Sequence, residues 1–329
     1  MQRRAMLVVL STVGALVTAK PMHAVAQARA GNLVVGVLGV GTEAGLAPRM
    51  QLFRQALREH GWVGSREVRF VERYADGHYE RLPALATQLV VLKVDLILAA
   101  GGSPAVTAAM QATQDIPIVF PTAADPVAQG LVASMARPGG NVTGLSLMSG
   151  DLYAKRLELL KEMMPGVRRV GLMWREGNPN GAEFLRVSRV AAKALGMDAE
   201  SFVVRESRAY EGTFSAMVQG GVQAVLMHSD PISEADLPSI SAWALKLRLP
   251  LVAGYRRPGV LIAYGTSGPD DFYVRAAYYV DRILKGAKAG ELPVEQSTKV
   301  ELAIDMKTAK ALGVTVPKSL LLRADQVIE

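Results

Sequence analysis

Two pairs of stretches decide the fold. The first pair is VDLILAAGGSPAV (94–106) and IPIVFPTAADP (116–126); the second is VQAVLMHSDPISE (222–234) and LPLVAGYRRPG (249–259). Each pair reads as an apolar strand, a small polar turn ending in X-Pro, a helix, a second strand led by Ile-Pro or Leu-Pro, and a loop closing on Pro. Apolar runs of this length, bounded by Gly and Pro, are the pattern of strands buried on both faces. The pairing of the two stretches points to an internal structural repeat, two similar α/β lobes in one chain.

Outward from these stretches the alternation continues. LVVGVL (33–38) is an apolar strand, after which Met50, Phe53 and Leu57 recur at helical spacing up to His60-Gly61. VRFVERY (68–74) is strand-like, and Leu82, Leu85, Leu89 and Leu92 form one face of the next helix. In the second half, a helix over about 152–164 leads to RRVGLMW (168–174), then a helix lined by Phe184, Val187, Ala191 and Leu195, then SFVV (201–204). The expected fold is α/β, two Rossmann-like lobes with parallel sheets covered by helices. Three extended runs, within 141–147, 259–265 and 299–305, are expected to cross between lobes and form a multi-strand hinge. Lobe one is then 31–143 plus 265–298, and lobe two is 144–264 plus 299–329.

The N-terminus reads differently. Arg3-Arg4, the apolar run AMLVVLSTVGALV (5–17) and Ala24-Val25-Ala26 have the layout of a secretory signal peptide, residues 1–26, with Gln27 as the mature start. The apolar run is shorter than the roughly 20 residues a spanning helix needs. Formal net charge is +7; losing Arg3, Arg4 and Lys20 lowers it by three, to +4. No basic run carries interleaved aromatics, so a nucleic-acid partner is not expected. The 329 residues contain no cysteine, which excludes disulfides, thiolate metal sites and a cysteine nucleophile. No two histidines have zinc-ligand spacing, and Gly144-Leu145-Ser146 lacks the second glycine of a nucleophile elbow. The glycines of GVLGVG (36–41) are in the wrong order for a dinucleotide fingerprint. No cofactor, metal or catalytic residue is expected.

In an open parallel sheet a ligand binds beyond the carboxyl ends of the strands. The candidates at those ends are Thr42; Gly102, Ser103 and Pro104; Thr122 and Asp125; Trp174, Asn178 and Asn180; Asp230; and Tyr255. Gly-Gly-Ser-Pro entering a helix suits an anion, with Ser103 as a possible N-cap. Asp125 and Asp230 each suit an ammonium, and each equally suits capping of the helix that follows.

FRQALREHGWVGSREVRFVERYADGHYERLPALA (53–86), VDLILAAGGSPAVTAAMQAT (94–113) and above all ADPV (124–127) followed by GLVASMARPGGNVTGLS (130–146) carry a family resemblance. With two further stretches they cover nearly all of the chain after residue 26. The chain resembles the substrate-binding proteins of ABC transporters, in the tryptophan/tyrosine-type group. The resemblance implies a type I periplasmic-binding-protein fold, a periplasmic location, a monomer, a small-molecule ligand such as an amino acid held between the lobes, and an ABC permease as partner. The expected pose puts the ligand's carboxylate at Ser103 and nearby amides, an ammonium at Asp230 or Asp125, and Tyr255 or Trp174 against its side chain. The chain departs from its relatives at Tyr255-Arg256-Arg257-Pro258 and at GTSGPDD (265–271), where two arginines stand and the turn is longer. The rival readings are a ligand-sensing subunit docked on a membrane receptor and a secreted α/β enzyme; the enzyme lacks a nucleophile–base pair.

Overall fold

The computed structural model describes residues 33–64, 67–147, 149–266, 269–296 and 300–329. The signal-peptide reading of residues 1–26 lies outside the described residues.

The first sheet is built from β1 (Val34–Gly39), β2 (Arg69–Tyr74), β3 (Leu96–Ala100), β4 (Ile118–Ala123), β5 (Val142–Ser146) and the two-residue β11 (Glu295–Gln296). The second contains β6 (Arg169–Arg175), β7 (Asp198–Val204), β8 (Ala224–Met227), β9 (Leu251–Ala253), β10 (Ile262–Thr266), β12 (Val300–Asp305) and β13 (Gln326–Ile328). Their orders are β11-β5-β4-β3-β1-β2 and β13-β12-β10-β9-β8-β6-β7. Reading each from its far edge, β2-β1-β3-β4-β5 and β7-β6-β8-β9-β10 have the same order. The repeat seen in the sequence is therefore a repeat of topology. All pairings are parallel except β10 with β12.

Burial explains why the strands are continuous apolar runs. β3, β8 and β9 are buried at every residue, because helices pack on both faces of each sheet. On one face of the first sheet, Met50, Phe53 and Leu57 of α1 (Glu43–Glu59) pack with Phe272, Ala276 and Val280 of α9 (Pro269–Leu284). On the other face, Leu82, Leu85 and Leu89 of α2 (Leu82–Val91) pack with Ala105, Val106 and Ala109 of α3 (Gly102–Ala112). The second sheet is covered on one side by α4 (Ser149–Met163) and α5 (Gly181–Ala194), through Leu157, Leu160 and Phe184. On the other side lie α6 (Tyr210–Gln219), then α7 (Pro231–Ala235) and α8 (Leu237–Lys246), with Tyr210, Phe214 and Ile240 in the core.

The chain passes between the sheets three times, from β5 to α4, from β10 to α9 and from β11 to β12. β5 stays in the first sheet through Ser146, and β10 stays in the second through Thr266. The strand read as ending at Phe120 continues to Ala123. Its register against β5 shifts between Phe120 and Ala123, and Pro121, which cannot donate to a ladder, sits in that irregularity. Opposite it, Gly144 has φ +155°, and a Cβ there would lie 2.1 Å from the Phe120 carbonyl oxygen.

Candidate functional site

The carboxyl ends of the two sheets face each other across a cavity of about 510 Å³. Lobe one lines it with Gly41, Thr42 and Arg49, with Gly102, with Thr122, and with Asp270 and Tyr273 of α9. Lobe two contributes Ser229, Asp230 and Glu234, then Gly254, Tyr255, Arg256 and Arg257, then Thr266. The volume falls within the roughly 300–1,000 Å³ of small-molecule pockets. Thr42 is held by its own capping role, its Oγ1 accepting from the Gly45 amide at 3.1 Å.

The charges of the cavity alternate across the cleft. Arg49 of lobe one lies 3.5 Å from a Glu234 carboxylate oxygen of lobe two and 3.7 Å from Asp270. Burial pushes the Glu234 carboxyl up to about 7; Arg49 pulls it down and the Asp230 charge pushes it further up. Burial acts to lower the Arg49 guanidinium, but Glu234 and its other neighbours hold it above its ordinary value. Asp230, 2% exposed, caps α7: its Oδ1 accepts from the Ile232 and Ser233 amides, both at 3.0 Å. The same oxygen accepts from the Tyr79 hydroxyl of lobe one at 3.2 Å. Its Oδ2 faces His228 Nδ1 at 3.6 Å, and neither atom has a hydrogen-bond partner among the described residues. Burial acts to raise the Asp230 carboxyl, yet the His228 ring and the Ser233 amide keep it below the ordinary carboxylate value.

Of the residues expected from strand ends, Thr42, Gly102, Thr122, Asp230 and Tyr255 line the cavity. The others are occupied elsewhere. Ser103 does not cap α3, where Gly101 holds the N-cap position; the Ser103 Oγ instead accepts from the Ala124 amide at 3.1 Å, and Pro104 is buried in the first turn. This contact accounts for the small residues after Phe120: the β4 loop closes against the start of α3. Asp125 is exposed and accepts from the Ala128 amide at 3.0 Å. The Trp174 Nε1 donates to Ser201 at 2.9 Å, and its ring lies against Gly181, where a Cβ would come within 2.1 Å.

Asn178 and Asn180 sit at the seam between lobes. Asn178 donates to the Tyr79 hydroxyl at 3.2 Å, and Asn180 accepts from Gln129 at 3.0 Å. With Arg49–Glu234 and Tyr79–Asp230, these contacts tie the lobes together around the cavity.

Strand-end reading misses Arg49 and Glu234; Ser229, which follows β8 directly, stands at a strand end and also lines the cavity. Glu234 had a readable signal, since it stands four residues after Asp230 and so on the same side of one helical turn. Arg49 is one of several arginines along α1, and nothing in the sequence marks it out. Among the described residues no group of three or more His, Asp or Glu is placed to hold a metal ion, and no helix is long and apolar enough to cross a membrane.

The sequence profile of the family described as ABC transporter substrate binding protein matches residues 35–328. The chain belongs to this family. Its members bind solutes for a transporter, and the family is not one of enzymes. A tyrosine-binding protein of Clostridioides difficile is 28% identical over 264 residues, which is 79% of this chain and 75% of that protein. The solved ABC domain of Streptococcus pneumoniae in complex with L-Trp superposes with a TM-score of 0.77 at 25% identity, covering 89% of this chain and all of that one (100%). A conserved domain protein of Vibrio cholerae O1 biovar El Tor gives a TM-score of 0.81 at 25% identity, covering 90% and 99%. The two lobes and their mostly parallel sheets are those of the type I periplasmic-binding-protein fold.

Proposed function

We propose that this substrate-binding protein is exported by its N-terminal segment to the periplasm, acts there as a monomer without catalysis, and delivers an amino acid to an ABC permease. The observation that carries the ligand class is the opposition of Glu234 and Asp230 to Arg49 across one cavity. A buried carboxyl raised to about 7 is an anion short of compensation, and a ligand ammonium beside it would supply the missing charge. Arg49, with the amides at the starts of α1 and α3, would take the α-carboxylate. The pose differs from the one expected from sequence, since Ser103 Oγ, Asp125 and Trp174 are engaged elsewhere. Tyr255 and Tyr273 remain as ring surfaces for the side chain. The relatives that bind tyrosine and L-Trp support the class.

The test is a thermal-shift and calorimetric screen of the chain from Gln27 onward against the twenty amino acids, with neutral sugars as controls. Saturable one-to-one binding of at least one L-amino acid is expected; a response confined to sugars, or to compounds lacking an amine, would refute the ligand class. Sequencing the N-terminus of protein recovered from the periplasm tests export, with Gln27 as the expected first residue.

A further inference from the structure

The cavity wall on the lobe-two side hides a cation that forms no ion pair among the described residues. Arg156 of α4 is 3% exposed and lies beneath the carboxyl ends of β8, β9 and β10. Its Nε donates to the Tyr264 carbonyl at 2.7 Å and its Nη1 to Ser229 Oγ at 3.2 Å. Both acceptors are neutral. Its guanidinium also stands over the Tyr153 ring, 5.1 Å from the centroid. Among the described residues it forms no ion pair with a carboxylate within 4.0 Å. The carboxylate it feels, Glu234, is paired with Arg49. Burial pulls the guanidinium below its ordinary value, and a buried charge left without a partner costs several kcal/mol by order of magnitude.

Two cavity residues sit directly over this group. Ser229 takes its hydrogen bond, and Gly254 has no side chain where a Cβ would be 2.8 Å from Arg156 Nη2 and 2.7 Å from Ser229 Oγ. Further along the same wall are Arg256 and Arg257, both exposed. Arg256 donates to the Gln326 side chain and Arg257 to the Arg256 carbonyl. Neither forms an ion pair with a described carboxylate, although Glu301 lines the same rim and accepts from Gln326 at 3.4 Å. Three cations, Arg156, Arg256 and Arg257, thus stand along the wall formed by the ends of β8 and β9. Of the acids in the cavity, Glu234 and Asp270 flank Arg49, and Asp230, next to Ser229, is turned to the Tyr79 hydroxyl, the His228 ring and the start of α7.

We propose that the wall at Ser229 and Gly254, backed by Arg156 and rimmed by Arg256 and Arg257, is the subsite for a carboxylate at the end of the solute's side chain, so that this chain selects an acidic amino acid over its neutral isostere. The inference rests on the amino-acid reading above. Arg156 acts as a positioning residue, orienting Ser229 and setting the local potential, while Arg256 and Arg257 meet the anion from the solvent side. The glycine at 254 keeps that wall bare.

Binding of L-glutamate and L-glutamine, which differ in charge but hardly in shape, tests this by calorimetry on the full mature chain. Glutamate is expected to bind at least about tenfold more tightly, about 1.4 kcal/mol. The Arg256→Gln, Arg257→Gln double variant lies on the surface and should fold normally. It should narrow the glutamate-to-glutamine ratio by roughly threefold or more and flatten its salt dependence. Arg156→Lys should narrow the ratio as well, whereas a purely structural role would weaken both ligands equally. Equal or tighter binding of glutamine, or a ratio indifferent to the rim arginines, overturns the inference and leaves the amino-acid reading standing. Failure of all amino acids to bind overturns that reading and this one with it.

Discussion

Replacing Tyr79 with Phe tests whether the contacts between the lobes belong to ligand capture. The Tyr79 hydroxyl bridges the cleft: it donates to Asp230 Oδ1 and accepts from Asn178 Nδ2, both at 3.2 Å, and all three residues are at most 8% exposed. A hydrogen bond to a charged group contributes about 1.5–3 kcal/mol, and the length here argues for the low end. Removing the hydroxyl also leaves the Asn178 amide short of an acceptor, at a cost of about 1 kcal/mol. With the lobes apart, water would satisfy these groups, so the whole loss falls on the closed state. A penalty of about 2–3 kcal/mol on closure lowers affinity roughly 30- to 150-fold. Calorimetry with the amino acid that gives the largest thermal shift reads the affinity, and circular dichroism checks that each lobe keeps its secondary structure. Affinity within twofold of wild type would refute the reasoning, because the seam would then form independently of the ligand.

Four further outcomes follow from the structure. The Glu234 carboxyl, raised to about 7 in the folded chain against 4.5 for the free group, binds more protons folded than unfolded between those values; stability of the empty protein should therefore fall as pH rises from about 4.5 to 7, by up to about 3 kcal/mol, and Glu234→Gln should abolish that slope in melting curves. An ammonium ligand lowers the same carboxyl, so its binding should release a proton near neutral pH and weaken as pH drops below 7, read from calorimetry in buffers of different ionisation enthalpy. Asp125→Ala should cost about 1 kcal/mol of stability, as the loss of its bond to the Ala128 amide in the turn after β4, and leave affinity unchanged, whereas Gly144→Ala, meeting the Phe120 carbonyl at 2.1 Å, should prevent soluble expression or lower the melting temperature sharply.

The fold is legible because its strands are buried on both faces. Such strands must be apolar throughout, so Val94–Ala100 and Val222–His228 announce themselves, and their Gly and Pro boundaries show where each turn begins. The repeat of elements along the chain was visible in the same way, as one pattern written twice, whereas the order of the strands within each sheet is seen only in the structure. The site is less legible, because position at a strand end does not set side-chain direction. Trp174 stands at the right place but turns onto Gly181. Asp125 and Ser103 spend their polar atoms on backbone amides of the loop after β4, at Ala128 and Ala124. Unpaired loop amides compete for short polar side chains, and among the described residues no helix follows Asp125 for it to cap. Arg49 and Glu234 lie on helix surfaces that become cavity walls only when the lobes are brought together. That information is tertiary and leaves no local trace. Arg156 is harder still: it lies on α4, between Lys155 and Leu157, and reads as one more surface cation until the ends of three strands are seen to bury it.

Native mass spectrometry on the mature chain, purified without denaturation and then exchanged into an equimolar mixture of the twenty amino acids, tests the central claim most directly. The account predicts a single adduct of amino-acid mass per chain, lost on denaturation and much reduced in Tyr79→Phe. A chain that stays free of any adduct in that mixture would contradict an interlobe amino-acid site.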